Sequence, residues 1–337
     1  MQPAIKAALR HLVRPAPPSA LARNFVPVSS AGLADVEGAL RRCYFPTHFD
    51  TAAQYLESGP GRTDMANHMT QRLEVFRTTI APWFCDARSL QGASVLEIGC
   101  GIGASTVALA EQGAKVTAID VDAPSLEVAR TRCAAYGVEA EFHELNAVEA
   151  FSVLSGRSFD FIIFCAVLEH MTHAERLAAL GASWRMLAGG GLLGIVEAPN
   201  RLWFFDSHTA LLPFYMWLPD ELAILYASRS PRKSFAPVGR RAVRDDYAAA
   251  SPEEMLEFLR HGRGVSFHEF DLALGPAGQL DVVSSLESYM RGRRPLRRVR
   301  YACSRDGRYS RFLRSLQPDL HPGFYEPYLD LIIRKPF

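Results

Sequence analysis

The segment VLEIGCGIGA (95–104) places Gly99, Gly101 and Gly103 between a short apolar run and a stretch of helical period. Glycines there let the backbone turn at positive φ and approach a ligand closely, and the following helix offers unpaired N–H groups to a carboxylate or phosphate. Gly99, Gly101 and Ala104 also satisfy the G-x-G-x-x-G/A spacing of a dinucleotide loop. Asp120, about twenty residues on, would accept hydrogen bonds from ribose hydroxyls in either case. Glu97 weighs between the two. An acid inside the strand, two residues before the glycines, suits a ligand bearing an ammonium group and not only a pyrophosphate.

Asn146 and VLEH (167–170) each follow a strand-like run, the edge at which open α/β sheets bind ligands. His170 there, and His208 with Asp206 two residues before it, are candidate proton acceptors, because imidazole is suited to base work near neutral pH. Trp203, Phe204, Phe205, Phe214, Tyr215 and Trp217 flank Asp206 and His208, either as a substrate pocket or as a second hydrophobic minicore. Tyr44, His48 and Tyr55 are candidates for closing the site from N-terminal helices, whereas His173 reads as solvent-facing.

The elements that must position these residues follow from hydrophobic period and punctuation. Strands are expected at 94–98, 115–120, 139–145, 159–165, 190–198, 265–273 and 328–335, and helices at 105–113, 123–137, 174–187 and 251–262. Strands alternating with helices imply a parallel sheet covered on both faces. The expected division is an N-terminal arm and helical extension (1–90), an α/β core (91–200), an inserted substrate cap (201–250) and a C-terminal completion of the sheet (251–337) with a basic insertion at 274–326. Within that insertion, 291–314 holds ten arginines against one acid, Asp306, and Arg229 to Arg244 contains no acid. Such runs usually form a solvated face, but guanidinium groups also pair with phosphate.

The chain has 337 residues, 37 Lys+Arg against 36 Asp+Glu and 48% hydrophobic residues, which excludes wholly disordered and histone-like classes. The most apolar region, 210–227, is broken by Pro213, Pro219, Asp220 and Glu221, so no transmembrane helix is expected there. The six cysteines form no C-x-x-C pair and no signal-peptide core precedes them, which points to a reducing cytoplasm. The first 34 residues carry Lys6, Arg10, Arg14 and Arg23 with no acid, which resembles a transit peptide or a weak interfacial helix, but Pro15, Pro17 and Pro18 favour a solvated arm. Exposed aromatics in 203–217 would equally serve a homodimer contact.

Taken together, VLEIGCGIG (95–103), AIDVD (118–122), FDFIIFCAVLEHM (159–171) and LAGGGLLGIVEAPN (187–200) resemble the motifs of class I S-adenosylmethionine (SAM) dependent methyltransferases. The resemblance covers 91–200 strongly and 251–337 weakly. It implies a Rossmann-like, seven-stranded α/β sheet with helices on both faces, here with an N-terminal helical extension and inserted cap segments. It implies SAM as cofactor, with Gly99, Gly101 and Gly103 at its methionine part and Glu97 at its amino group. Asp120 would bind the ribose hydroxyls, Val121 would touch the adenine ring, and the Asn146 carbonyl would accept from the adenine amino group. VLEH is similar to the E-x-x-E-H of ubiquinone-type O-methyltransferases and of RNA 3′-end 2′-O-methyltransferases, which can bind a divalent metal through the acids and histidine. Ala166 stands where the first acid would be, so metal-independent activity is expected. The expected reaction is methyl transfer to a small-molecule acceptor, anionic or phosphorylated in view of the arginines, most simply at oxygen. RNA methylation and nicotinamide-dependent oxidoreduction are the alternatives, and the near-neutral charge weighs against nucleic acid.

Overall fold

The computed structural model describes residues 25–243, 250–292 and 295–337. Lys6, Arg10, Arg14 and Arg23, with Arg244, Arg293 and Arg294 of the basic stretches, lie outside the described residues.

Seven strands, β1 (Ser94–Ile98), β2 (Lys115–Asp120), β3 (Ala140–Glu144), β4 (Phe159–Cys165), β5 (Leu187–Pro199), β6 (Asp281–Ser285) and β7 (Tyr328–Arg334), form one sheet in the order β3-β2-β1-β4-β5-β7-β6. β1 runs parallel to β2 and β4, with Val95 opposite Val116 and Phe161 and Ile98 opposite Ile119 and Phe164, and β2 runs parallel to β3. The continuous apolar runs of β1 and β4 are buried along almost their whole length, as strands covered on both faces must be. β7 runs antiparallel to β5: Gly190 N donates to Lys335 O at one end and Asn200 N to Pro327 O at the other. The sheet is therefore mixed, whereas strand–helix alternation alone predicts a parallel one; the regular alternation ends at β5, and β7 enters later in the chain.

Two further expectations are corrected. Residues 265–273 do not form a strand; they hold the helix Phe267–Leu274, and Val265 alone makes a bridge, to Asn200. A capping box explains the change: Ser266 N and Oγ both donate to the Glu269 carboxylate, satisfying groups at the helix start that an alternating pattern does not reveal. The strand this removes is supplied by β6 at the sheet edge, inside the segment read as a basic insertion. DVVSS is short and half-buried, so its pattern carried little signal.

Contacts divide the chain into two compact units, one of residues up to Cys165 with Arg185–Gly194 and Arg334–Phe337, the other of Ala166–Trp184 and Ile195–Ile333. In the first unit, the N-terminal helices pack Val36, Ala39, Leu40, Phe45 and Leu56 around Ile102 of the glycine loop and Val128. The extension thus shares a core with that loop. In the second unit, Tyr215, Met216, Ile224, Phe235, Val238 and Phe258 form a separate apolar cluster that draws in the helix Pro252–Arg260. Of the two readings of the 203–217 aromatics, Tyr215 follows the minicore, while Trp203 and Phe204 pack on Tyr309 and Phe214 and Trp217 form an exposed pair.

Candidate functional site

Each unit carries one group of candidate residues. In the first, β1 ends in a loop in which Gly99, Gly101 and Gly103 have φ of 77°, 50° and 79°. A Cβ at Gly101 would meet nothing within 4 Å, so that glycine answers to backbone conformation and open approach. At Gly103 a Cβ would stand 2.9 Å from Ala129, so its glycine is accounted for by helix packing as well as by φ. Asp120, at the end of β2, accepts from Gly101 N at 2.7 Å and from Asp122 N at 3.0 Å. It therefore fixes the glycine loop, and each carboxylate oxygen keeps capacity for a further donor. Burial raises its pKa while these backbone hydrogen bonds oppose the rise.

Glu97 is fully buried. Its Oε2 accepts from Thr106 Oγ1 at 2.6 Å, whereas its Oε1 has no hydrogen-bond partner. Burial pushes its pKa to about 7, against hydrogen bonds from Ser105 and Thr106 and with the Asp120 charge adding to the rise. A buried, half-satisfied carboxylate costs stability unless a donor completes it, and a ligand ammonium is such a donor. The orphaned oxygen thus fits the amino group that the sequence resemblance implies. Val121 is 67% exposed and free to meet a planar ring. Asn146 differs from expectation: its Oδ1 caps the helix Ala147–Val153 by accepting from Val148 N and Glu149 N, both at 2.9 Å. With both lone pairs used, the side chain has its NH₂ donors to offer a base, not its carbonyl.

Tyr44 stacks on His48 at 4.2 Å and contacts His68 at 4.7 Å, while Tyr55 donates to Asp64. Burial, then the charges of Asp64 and Asp122, push the Tyr44 pKa to about 12. Tyr44 is thereby placed in the field of Asp122, two residues beyond Asp120.

In the second unit the residues after β4 make a tight turn, Leu168–His170. Glu169 is fully buried and neither of its carboxylate oxygens has a hydrogen-bond partner. His208 Nε2 and His170 Nε2 lie 3.7 and 3.8 Å from Glu169 Oε1. The other ring nitrogens fix the tautomers. His170 Nδ1 faces Arg260 O at 2.8 Å, which can only accept, so Nδ1 carries the hydrogen. His208 Nδ1 faces Thr209 Oγ1 at 2.9 Å, and that hydroxyl gives its own hydrogen to Gly262 O at 3.0 Å, so Nδ1 again donates. Both Nε2 lone pairs therefore converge on a carboxylate, a set of acceptors lacking a proton or a cation. Burial pushes the Glu169 pKa to about 7 and lowers both histidines. Ligand atoms of Glu169, His170 and His208 lie within 4.8 Å of one another, so these three could hold a metal ion.

The turn is held from behind. Arg176, fully buried, donates to the carbonyls of Leu168, Glu169, Met171, Arg263 and Gly264, and Arg263 N donates to Glu169 O at 2.8 Å. Gly262, at φ 116°, leaves room for the ring: a Cβ there would stand 2.8 Å from Thr209 Oγ1 and 3.1 Å from His208 Cε1.

Asp206 does not pair with the His208 ring as its spacing suggested. Its carboxylate accepts from His208 N, Thr209 N and Ala210 N, making it a buried turn residue. The carboxylate facing the His208 ring is Glu169. His173 is half-exposed and paired with Asp220 at 3.2 Å. Of the Arg229–Arg244 stretch, Arg232 donates to His208 O and Thr209 O and Arg241 pairs with Glu257, so those two cations already have partners.

Glu197 and Arg176 stand in no pattern that marks them in the sequence. Glu197 sits in β5 at φ 61°, and Ala166, also left-handed at 51°, donates from its N–H to Val196 O. Two strained non-glycine residues side by side mark a functional edge. The Glu197 charge contributes to the raised Glu169 pKa, which returns an acid to the neighbourhood of the one missing at Ala166. The approach of Glu197 to this turn is a matter of backbone conformation, which a sequence does not display.

Residues 95–191 match a family model described as a methyltransferase domain. Among curated proteins, the chain is 34% identical over 109 residues to the ubiquinone biosynthesis O-methyltransferase of Pseudomonas entomophila, covering 32% of this chain and 46% of that protein. It is 37% identical over 113 residues to the protein of the same name from Xylella fastidiosa, covering 34% and 44%. The chain thus spans less than half the length of these relatives. A solved structure of magnesium protoporphyrin IX methyltransferase from Synechocystis PCC 6803 with bound SAM matches at 21% identity and a TM-score of 0.37, covering 49% of this chain and 77% of that one.

Proposed function

We propose that this protein, whose residues 95–191 are a class I SAM-dependent methyltransferase domain, methylates a hydroxyl oxygen of a small-molecule acceptor. The observation that carries the chemistry is the buried, unpartnered Glu169 carboxylate faced by two imidazole lone pairs. SAM binding rests on the orphaned Glu97 oxygen for the ammonium, Asp120 for the ribose hydroxyls and the glycine loop for the methionine part. SAM supplies an activated methyl on a sulfonium. Where an acceptor hydroxyl meets the second unit, its proton would pass to His208 Nε2 as the oxygen is methylated. Thr209 keeps the other nitrogen protonated, and Glu169 stabilises the resulting imidazolium. Asp206 holds the His208 backbone and takes no proton.

The convergence within 4.8 Å favours a second reading, in which Glu169, His170 and His208 hold a divalent cation that would acidify and orient the acceptor. Turnover of a hydroxylated acceptor panel before and after exhaustive chelation, with metal analysis of the purified protein, separates the two. Full turnover without metal is expected. Loss with rescue by magnesium would replace the base reading with the cation reading, and no turnover of any hydroxylated acceptor would refute oxygen methylation.

A further inference from the structure

The arginine-rich stretch 291–314 is not consumed by methyl transfer; Arg291 lies in the last turn of the helix Leu286–Gly292 and pairs with Glu326, and two consecutive helices follow, Pro295–Cys303 and Arg305–Leu316. In the second, Gly307, Ser310 and Leu313 are buried and define the inward face. At 100° per residue the opposite face centres on Arg308 and Phe312, flanked by Arg305, Arg311 and Leu316. Phe312 is 55% exposed and Leu316 64%, and Val299 of the preceding helix is 63% exposed. The orientation is fixed, because Tyr309 donates to Leu202 O at 3.0 Å and packs edge-on against Trp203 and Phe204. Arg311 donates to Ala302 O, and among the described residues no carboxylate pairs with Arg308, Arg311 or Arg314.

We propose that this face docks on the surface of an anionic lipid bilayer, its arginines on the phosphate headgroups and Phe312 and Leu316 seated at the acyl boundary. Apolar side chains at the centre of a cationic face are the composition of an interfacial helix. Guanidinium groups bind phosphate in a planar fork and are weakly hydrated, which suits them to the headgroup layer. A nucleic-acid groove would instead put polar or stacking groups among the cations, and Leu316 offers neither. An acidic protein surface would match the charge but gives no reason for the exposed apolar centre. No described helix is long and apolar enough to cross a membrane, so the docking is peripheral. With a formal charge of +1 for the whole chain, the attraction is local to this face.

The test is flotation of the full-length protein with vesicles of phosphatidylcholine alone or mixed with phosphatidylglycerol. Each basic residue near such a surface contributes roughly fivefold in affinity, so capture by the mixed vesicles should exceed capture by the neutral ones at least about tenfold and fall with salt. Arg308→Glu with Arg311→Glu, and separately Phe312→Ser with Leu316→Ser, should each lower capture about tenfold or more while melting temperature and S-adenosylhomocysteine binding stay unchanged. Equal or absent capture by the two vesicle types overturns the proposal, and that wild-type comparison decides even if a variant folds poorly. Undiminished capture of the Phe312/Leu316 variant, or stronger binding to an RNA oligonucleotide than to the mixed vesicles, overturns it in favour of a purely electrostatic site.

Discussion

Arg132 Nε donates to the Ile102 carbonyl at 2.9 Å, so a fully buried guanidinium on the helix after β2 holds the glycine loop from behind. Its other nitrogens donate to Met69 O and His68 O at 2.9 and 2.6 Å, binding the same loop to the N-terminal helices. The extension is therefore part of what shapes the glycine loop.

Arg132→Met should remove the side-chain donor from three carbonyls, that of Ile102 buried and those of His68 and Met69 part-buried. We expect a loss of roughly 3 kcal/mol or more in chemical denaturation, together with weaker S-adenosylhomocysteine binding by calorimetry. Lysine, with one compact ammonium, should not restore both. Unchanged ligand affinity in a folded variant would separate the extension from cofactor binding.

Glu97→Gln should move stability and binding in opposite directions. The folded-state pKa of about 7 lies above the ordinary carboxyl value of 4.5. Between these values the folded protein keeps a proton that the unfolded chain releases, so this group costs stability as pH rises and the cost is complete above 7. The ligand-free glutamine variant should therefore melt higher than the wild type at about pH 8, with the advantage shrinking towards about pH 4. Its affinity for S-adenosylhomocysteine should fall about tenfold or more, because a charged hydrogen bond to the ammonium is lost. A variant that melts lower at the alkaline end and binds normally contradicts both assignments.

His208→Ala and Glu169→Gln should each reduce turnover about a hundredfold or more, the usual share of a general base, with cofactor affinity within about twofold of wild type. Isothermal titration and single-turnover rates measured side by side provide the check. His208→Ala with full turnover would remove this imidazole from the reaction.

Asp206→Ala should act on folding rather than chemistry. The carboxylate is 3% exposed and satisfies three backbone N–H groups, so its loss should cost about 1–3 kcal/mol. If turnover of the folded fraction instead collapses while the melting temperature holds, Asp206 belongs to the reaction after all.

Local pattern was enough to place β1 to β5, β7 and the glycine loop. Short runs rich in apolar residues give the buried strands β1, β4 and β7, and glycines mark the turn after β1. Folding decided which partner each polar group took, whether a neighbour within one turn or a residue far along the chain. The two-residue spacing of Asp206 and His208 suggested a carboxylate and imidazole pair, yet backbone N–H groups claimed the carboxylate and the fold brought Glu169 to the ring instead. Asn146 was legible as a polar residue at a strand end, but its capping role, which reverses the donor it can offer a base, depends on helix geometry. Residues 265–273 alternate like a strand, and reciprocal bonds between Ser266 and Glu269 made them a helix. In each case local pattern fixes which groups are available, while hydrogen-bond satisfaction in the folded interior decides which of them remain free to act.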